Sequence, residues 1–199
     1  MLSPRLHSRI WESGKITSPI WLVFNPKHPL VSNYIWLPVL TEMQDKIFKE
    51  LNTRINSTHI YKRNVVSDNV DTPITENWWD AQINVEIERF RVLALEYKPQ
   101  IIISFGAFPY EFLRRAYRIG PKKGPKSWTN SKLEGEFKKS IQSFDANKTN
   151  LIPLLRRMPL SRKYKEEHNK DYFEKNIHYV SKKIAEKIIE NKNHLNIWI

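Results

Sequence analysis

The chain has 199 residues, 40% of them apolar and 12% aromatic, which suffices for one folded domain with a real core and excludes intrinsic disorder. It has no cysteine, so disulfides, thiolate nucleophiles and cysteine-held iron–sulfur clusters are excluded; it has no long apolar run, and Met1–Gly14 has no signal-peptide pattern, so a cytoplasmic protein without a membrane partner is expected. Thirty-three Lys and Arg against 21 Asp and Glu give a net charge of +12, which favours a polyanionic partner, nucleic acid first, although a lysine-rich surface can also serve solubility alone.

Residues 1–18 read as a basic, polar lead-in with Trp11 as its anchor. Ile20–Phe24 is a short apolar run that stops at Asn25-Pro26-Lys27-His28-Pro29. That is the pattern of a buried parallel strand with an amide, an ammonium and an imidazole at its carboxyl end, the edge where open α/β sheets bind ligands. A strand exit that merely turns would look the same. Tyr34–Leu37 is an apolar patch expected in a loop before Pro38. Thr41-Glu42-Met43-Gln44 has capping-box spacing, and Met43, Ile47, Phe48 and Leu51 continue on a helical period, which predicts a first helix over 41–52. Ser57–Val66 is a weaker strand, near 58–66, that runs into Ser67, Asp68 and Asn69.

Trp79, Ile83, Ile87, Phe90, Ala94 and Tyr97 recur at helical intervals, closed by Pro99. Ile101–Phe105 is the clearest buried strand, and Phe108, Phe112, Leu113 and Tyr117 mark the helix after it. Gly120–Lys126 reads as a flexible basic loop within a basic insertion over 119–148, where Lys132–Phe144 fits a helix or a strand pair. A last strand covers 151–155, and Phe173, Ile177, Val180, Ile184 and Ile188 line a terminal helix. The alternation predicts an α/β fold: one domain over 1–199, three layers α/β/α, with a four-stranded, mainly parallel sheet.

Three strand ends carry polar clusters: Asn25–His28, Asn64–Asn69 and Arg156–Lys163. Parallel strands would bring all three to one edge. Arg156, Arg157, Arg162, Lys163 and Lys165 surround Leu160 with no acid among them. Such a loop suits an apolar wedge pushed into a base stack with phosphates gripped on either side, or else a solvated charge run around a buried leucine. The histidines are scattered, no carboxylates cluster and no G-x-S-x-G is present, so neither a metal site nor a serine triad is expected. An amide, an imidazole and guanidinium groups around a cleft suit hydrolysis by a positioned water without a cofactor.

In order and spacing these fragments resemble the uracil-DNA glycosylase superfamily over about residues 20–189. Asn25-Pro26-Lys27-His28 resembles its water-activating motif, and Asn64 before Val65-Val66 its base-reading asparagine. Ile101–Gly106 resembles its third strand with the following glycine, and Met158-Pro159-Leu160-Ser161 the end of its DNA-penetrating loop. The resemblance implies that Asn25, with His28 beside it, orients the attacking water, and that Asn64 reads the flipped base. It implies that Leu160, on the loop with Pro159, fills the gap and that Ser161 holds a phosphate, with Arg157, Arg162 and Lys163 as further DNA contacts. Trp36 falls where the family has an aromatic platform, and plain core packing fits it equally. The family's catalytic histidine is matched by Arg156 or, one residue on, by Arg157; Lys27 replaces the tyrosine that walls off pyrimidine C5 in one branch. The implied protein is a monomeric, cofactor-free DNA glycosylase acting on a modified pyrimidine, such as a bulky 5-modified cytosine of phage DNA in antiphage defence. Uracil repair, and a non-catalytic DNA-binding module on the same fold, are the alternatives.

Overall fold

The computed structural model describes residues 10–25, 32–67, 81–156 and 176–199, arranged on a five-stranded mixed sheet. The strands are β1 Glu12–Ser13, β2 Ile20–Phe24, β3 Tyr61–Asn64, β4 Ile101–Phe105 and β5 Asn150–Leu154, in spatial order β1-β3-β2-β4-β5. β3, β2, β4 and β5 are parallel; β1 runs antiparallel along β3. The α/β expectation holds, and the sheet has one strand more than expected. The extra strand comes from the lead-in. Lys15 N donates to His59 O and Asn64 N to Trp11 O, extending the pairing on both sides of β1. Gly14 permits the close approach, for its φ is +84° and a Cβ there would lie 2.0 Å from Ile60 O.

Among the described residues five α-helices cover the sheet: α1 Ser32–Leu51, α2 Ala81–Tyr97, α3 Ala107–Ala116, α4 Asn130–Gln142 and α5 His178–Glu190. Side chains alternate along each strand, so Leu22, Phe24, Ile103 and Phe105 join the core under α1, α4 and α5. Trp21, Val23, Tyr61 and Ile102 join the core under α2 and α3. Both faces are covered, which is why β2 is an unbroken apolar run and β4 is apolar except for the buried Ser104.

Several elements differ from the sequence expectation. α1 begins at Ser32, not 41, and takes in the supposed loop at 34–37 and Pro38. Ile35, Val39, Met43 and Ile47 are buried at every fourth position, so packing of that stripe overrides the proline. Gln44 is no cap: its amide exchanges two hydrogen bonds with the backbone of Ile55, at 2.6 and 2.8 Å. β3 is shorter than 58–66 because Asn56 Oδ1 accepts from Thr58 N and Oγ1, holding an Asx turn before the strand. The ambiguous stretch 132–144 resolves as a helix as far as Gln142: Thr129 caps α4 by accepting from Lys132 N, and Leu133 and Phe137 are buried one turn apart. In β5, Pro153 sits on the sheet's edge strand, where its missing donor costs no ladder bond.

The basic loop after α3 is pinned, not flexible. Glu111, fully buried, accepts from Arg115 Nε at 3.0 Å, Lys123 N at 2.8 Å and Trp128 Nε1 at 2.8 Å. Arg114 donates to the carbonyls of Gly120 and Pro121 and lies over the Trp128 ring. Trp128, Tyr110 and Leu133 then form a small core against Ala107 and Leu155. The insertion thereby braces the carboxyl end of β5.

Candidate functional site

The chain leaves β2 for β3 on one side and returns to β4 on the other, so the strand order reverses between β2 and β4. At such a switch point the connections diverge and leave a crevice above the carboxyl ends of the two strands. Asn25 is the first residue beyond β2 at that point and is 8% exposed. Asn64, 1% exposed, pairs in register with Phe24, which places it one strand over and one residue below Asn25. Neighbouring strands run about 5 Å apart, so the two residues stand at adjacent strand ends. Arg156 stands two residues beyond Leu154, the partner of Phe105 on β4. All three residues lie at one edge of the sheet.

Asn64 is held from both sides. Its N–H donates to Trp11 O, its carbonyl accepts from Arg63 Nε at 3.2 Å, and Val65 N donates to Phe24 O. Arg63 lies 3% exposed over the Phe90 ring, 3.9 Å from a Glu86 carboxylate oxygen that anchors it to α2. β1 and this buried ion pair were not apparent as parts of the site from the sequence. The available signal was Lys62-Arg63-Asn64 in a strand, three polar residues that read as an exposed edge but are all buried.

Arg156 is positioned by a glycine. Gly106 closes β4 with φ +99° and ψ 173°, and a Cβ on it would lie 2.7 Å from Arg156 Cβ. The arginine stem thus runs across bare backbone at the start of α3. Gly106 N also donates to Leu154 O at 2.7 Å, tying the ends of β4 and β5 together. Partial burial lowers the Arg156 pKa from the ordinary arginine value, yet a guanidinium stays charged. The edge therefore offers two buried amide residues, which can orient water or a planar polar ligand, and one positive, donor-rich group.

Trp36 is half-buried on α1 against the core, with the Lys62 ammonium 5.0 Å from its ring centre. Lys62 also donates to the carbonyls of Ser57 and Ile60, and burial lowers its pKa. Trp36 shares the face of β3 that carries Lys62 and Asn64, below the amide pair. Lys27 and His28, directly after Asn25, lie outside the described residues, as do Arg157, Pro159, Leu160, Ser161, Arg162 and Lys163, directly after Arg156. Among the described residues there is no cluster of metal-ligating side chains, and no helix is long and apolar enough to cross a membrane. No protein-family model matches the chain, and no curated protein matches its sequence.

Proposed function

We propose that the protein is a cofactor-free DNA glycosylase that flips a modified pyrimidine out of DNA and hydrolyses its N-glycosidic bond. The observation that carries this reading is the position of Asn25, Asn64 and Arg156 at one carboxyl edge of the sheet, at the ends of β2, β3 and β5. Asn25 orients a water whose oxygen bonds to C1′ of the deoxyribose. The C1′–N bond breaks and its electron pair departs with the base. Arg156 donates to the base oxygen on which that charge gathers, and His28 takes the proton that the water loses. Asn64 hydrogen-bonds the polar edge of the flipped base.

The segment from Arg157 to Lys163 grips the backbone, and Leu160 fills the gap left in the stack. Lys27 stands where a rigid aromatic wall would exclude a substituent at C5; an ammonium on a flexible stem admits one and can hydrogen-bond it. A bulky 5-modified cytosine of phage DNA, and with it a defence role, is the substrate this favours.

The test is to incubate the protein with unmodified, uracil-containing and hypermodified phage DNA and then cleave abasic sites with alkali. Strand breaks in hypermodified DNA alone are expected. Breaks confined to uracil-containing DNA would make this a uracil-excising enzyme. Tight binding to all three without breaks would make it a non-catalytic DNA-binding module.

A further inference from the structure

α2 has two apolar faces. The inner one, Ile83, Ile87, Phe90 and Ala94, is buried in the core. The outer one, Val85, Val92 and Leu95, is 47%, 62% and 56% exposed. Together with Glu88 these outer residues step by three, four and three positions. That is the a/d spacing with which one helix presents a seam to a second helix. A surface helix needs only its inner stripe to hold its place in a fold, so the second stripe is surplus to folding.

The seam borders a shallow depression of about 800 Å³ lined by Asn84, Glu88, Arg89 and Leu93 with the two valines. Asn84 and Glu88 also border a neighbouring cavity of about 580 Å³, closed by Arg115, Arg118, Ile119 and Lys122. The apolar strip therefore opens into a basic notch, and Ile119, 40% exposed, continues its apolar floor. The notch is preformed. Ile119 N donates to Arg114 O at 2.7 Å, and the Glu111 and Arg114 bonds hold the following turn.

We propose that this face docks an apolar, acid-flanked helix of a partner protein. Arg89 and Arg91 flank the seam at the positions from which coiled helices select partner charge, with Arg118 and Lys122 beyond them. Arg89 pairs with Glu86 at 2.7 Å and Arg91 with Glu88 at 3.5 Å, weak pairs each with one exposed member that a partner's acids can replace. Glu88, within the seam, then selects a small or cationic residue opposite. Nucleic acid would meet the basic notch but has no use for Val85, Val92 and Leu95. A second copy fits badly as well. Parallel pairing of the seam sets Glu88 against Glu88, antiparallel pairing sets Arg89 beside Arg89 and Arg91 beside Arg91, and each chain brings a net charge of +12. The face is separate from the Asn25–Asn64–Arg156 edge and does not depend on the proposed activity.

The probe is a fluorescein-labelled peptide of about eighteen residues, long enough to form helix, with leucines in an a/d seam, glutamates on both flanks and one lysine to meet Glu88. Fluorescence anisotropy should show saturable binding to the full chain. Val92→Asp, or Arg118→Glu with Lys122→Glu, should weaken it about tenfold or more, the scale for losing an interface anchor. These positions are exposed, so circular dichroism should show the variants folded. Failure of the acidic peptide to bind would overturn the proposal, and so would equal binding by a version with lysine flanks. Displacement of the peptide by an equimolar DNA duplex would assign the face to nucleic acid instead. A concentration-dependent dimer in sedimentation velocity, abolished by Val92→Asp, would assign it to self-association.

Discussion

Gly106→Ala perturbs the junction on which Arg156 depends. At φ +99° and ψ 173° the backbone sits in a region that only glycine occupies readily, so any side chain there costs about 1–3 kcal/mol. The added methyl would also lie 2.7 Å from Arg156 Cβ, a clash with a side-chain stem fixed near backbone, and overpacking of this kind adds about 1–3 kcal/mol. The neighbour can yield a little, so the combined loss should fall near 2–4 kcal/mol, which for a chain of this length lowers Tm by roughly 5–15 °C. Thermal unfolding by circular dichroism measures it. Arg156→Gly in the same background removes the clashing Cβ and should recover the steric share, leaving the backbone share. An unchanged Tm in Gly106→Ala, or the same loss in the double variant, would refute the packing of Arg156 across this glycine.

Glu111→Gln removes the carboxylate charge paired with Arg114 and Arg115 in its buried cluster and turns an acceptor into a donor beside Lys123 N or Trp128 Nε1. Breaking such a cluster should cost about 3–5 kcal/mol and expose the turn at Lys122 and Lys123 to limited trypsin digestion, read by gel. Arg156→Ala should lower the single-turnover rate of base release by roughly 10²–10³-fold, the scale for one preorganised donor, whereas an arginine that only grips phosphate would lose affinity at an unchanged saturated rate. Arg162→Ala with Lys163→Ala should flatten the slope of log affinity against log salt by up to about two units, measured by anisotropy on duplex DNA.

The parallel sheet was legible because β2 and β4 are buried on both faces and announce themselves as apolar runs, five residues in β2 and three followed by Ser104 and Phe105 in β4. The strand-end amide at Asn25 was legible for the same reason, since the run stops abruptly at it. β3 hid its burial. Its Lys62 spends its charge on the nearby carbonyls of Ser57 and Ile60, and its Arg63 on the Phe90 ring and Glu86, which come from a distant part of the chain. The start of α1 was hidden by Pro38, because propensity is local and the stripe from Ile35 to Ile47 that overrides it is tertiary. β1 was hidden by its length; two residues carry no periodicity, and only Gly14 and the pairing with β3 create it. Gly120–Lys126 has the composition of a free loop, and nothing local reveals the carboxylate of Glu111 waiting on the preceding helix.

Base release by Asn25→Ala tests the proposed chemistry most directly. In the proposed chemistry Asn25 faces the attacking water and makes no claim on the DNA backbone, so the variant should bind hypermodified DNA with nearly the affinity of the parent chain. Under single-turnover conditions it should leave no alkali-labile sites above background. Asn25→Asp, which keeps the size and an acceptor oxygen, should restore part of the rate. Full activity in Asn25→Ala would contradict the water-positioning role and, with it, the assignment of the protein as a glycosylase.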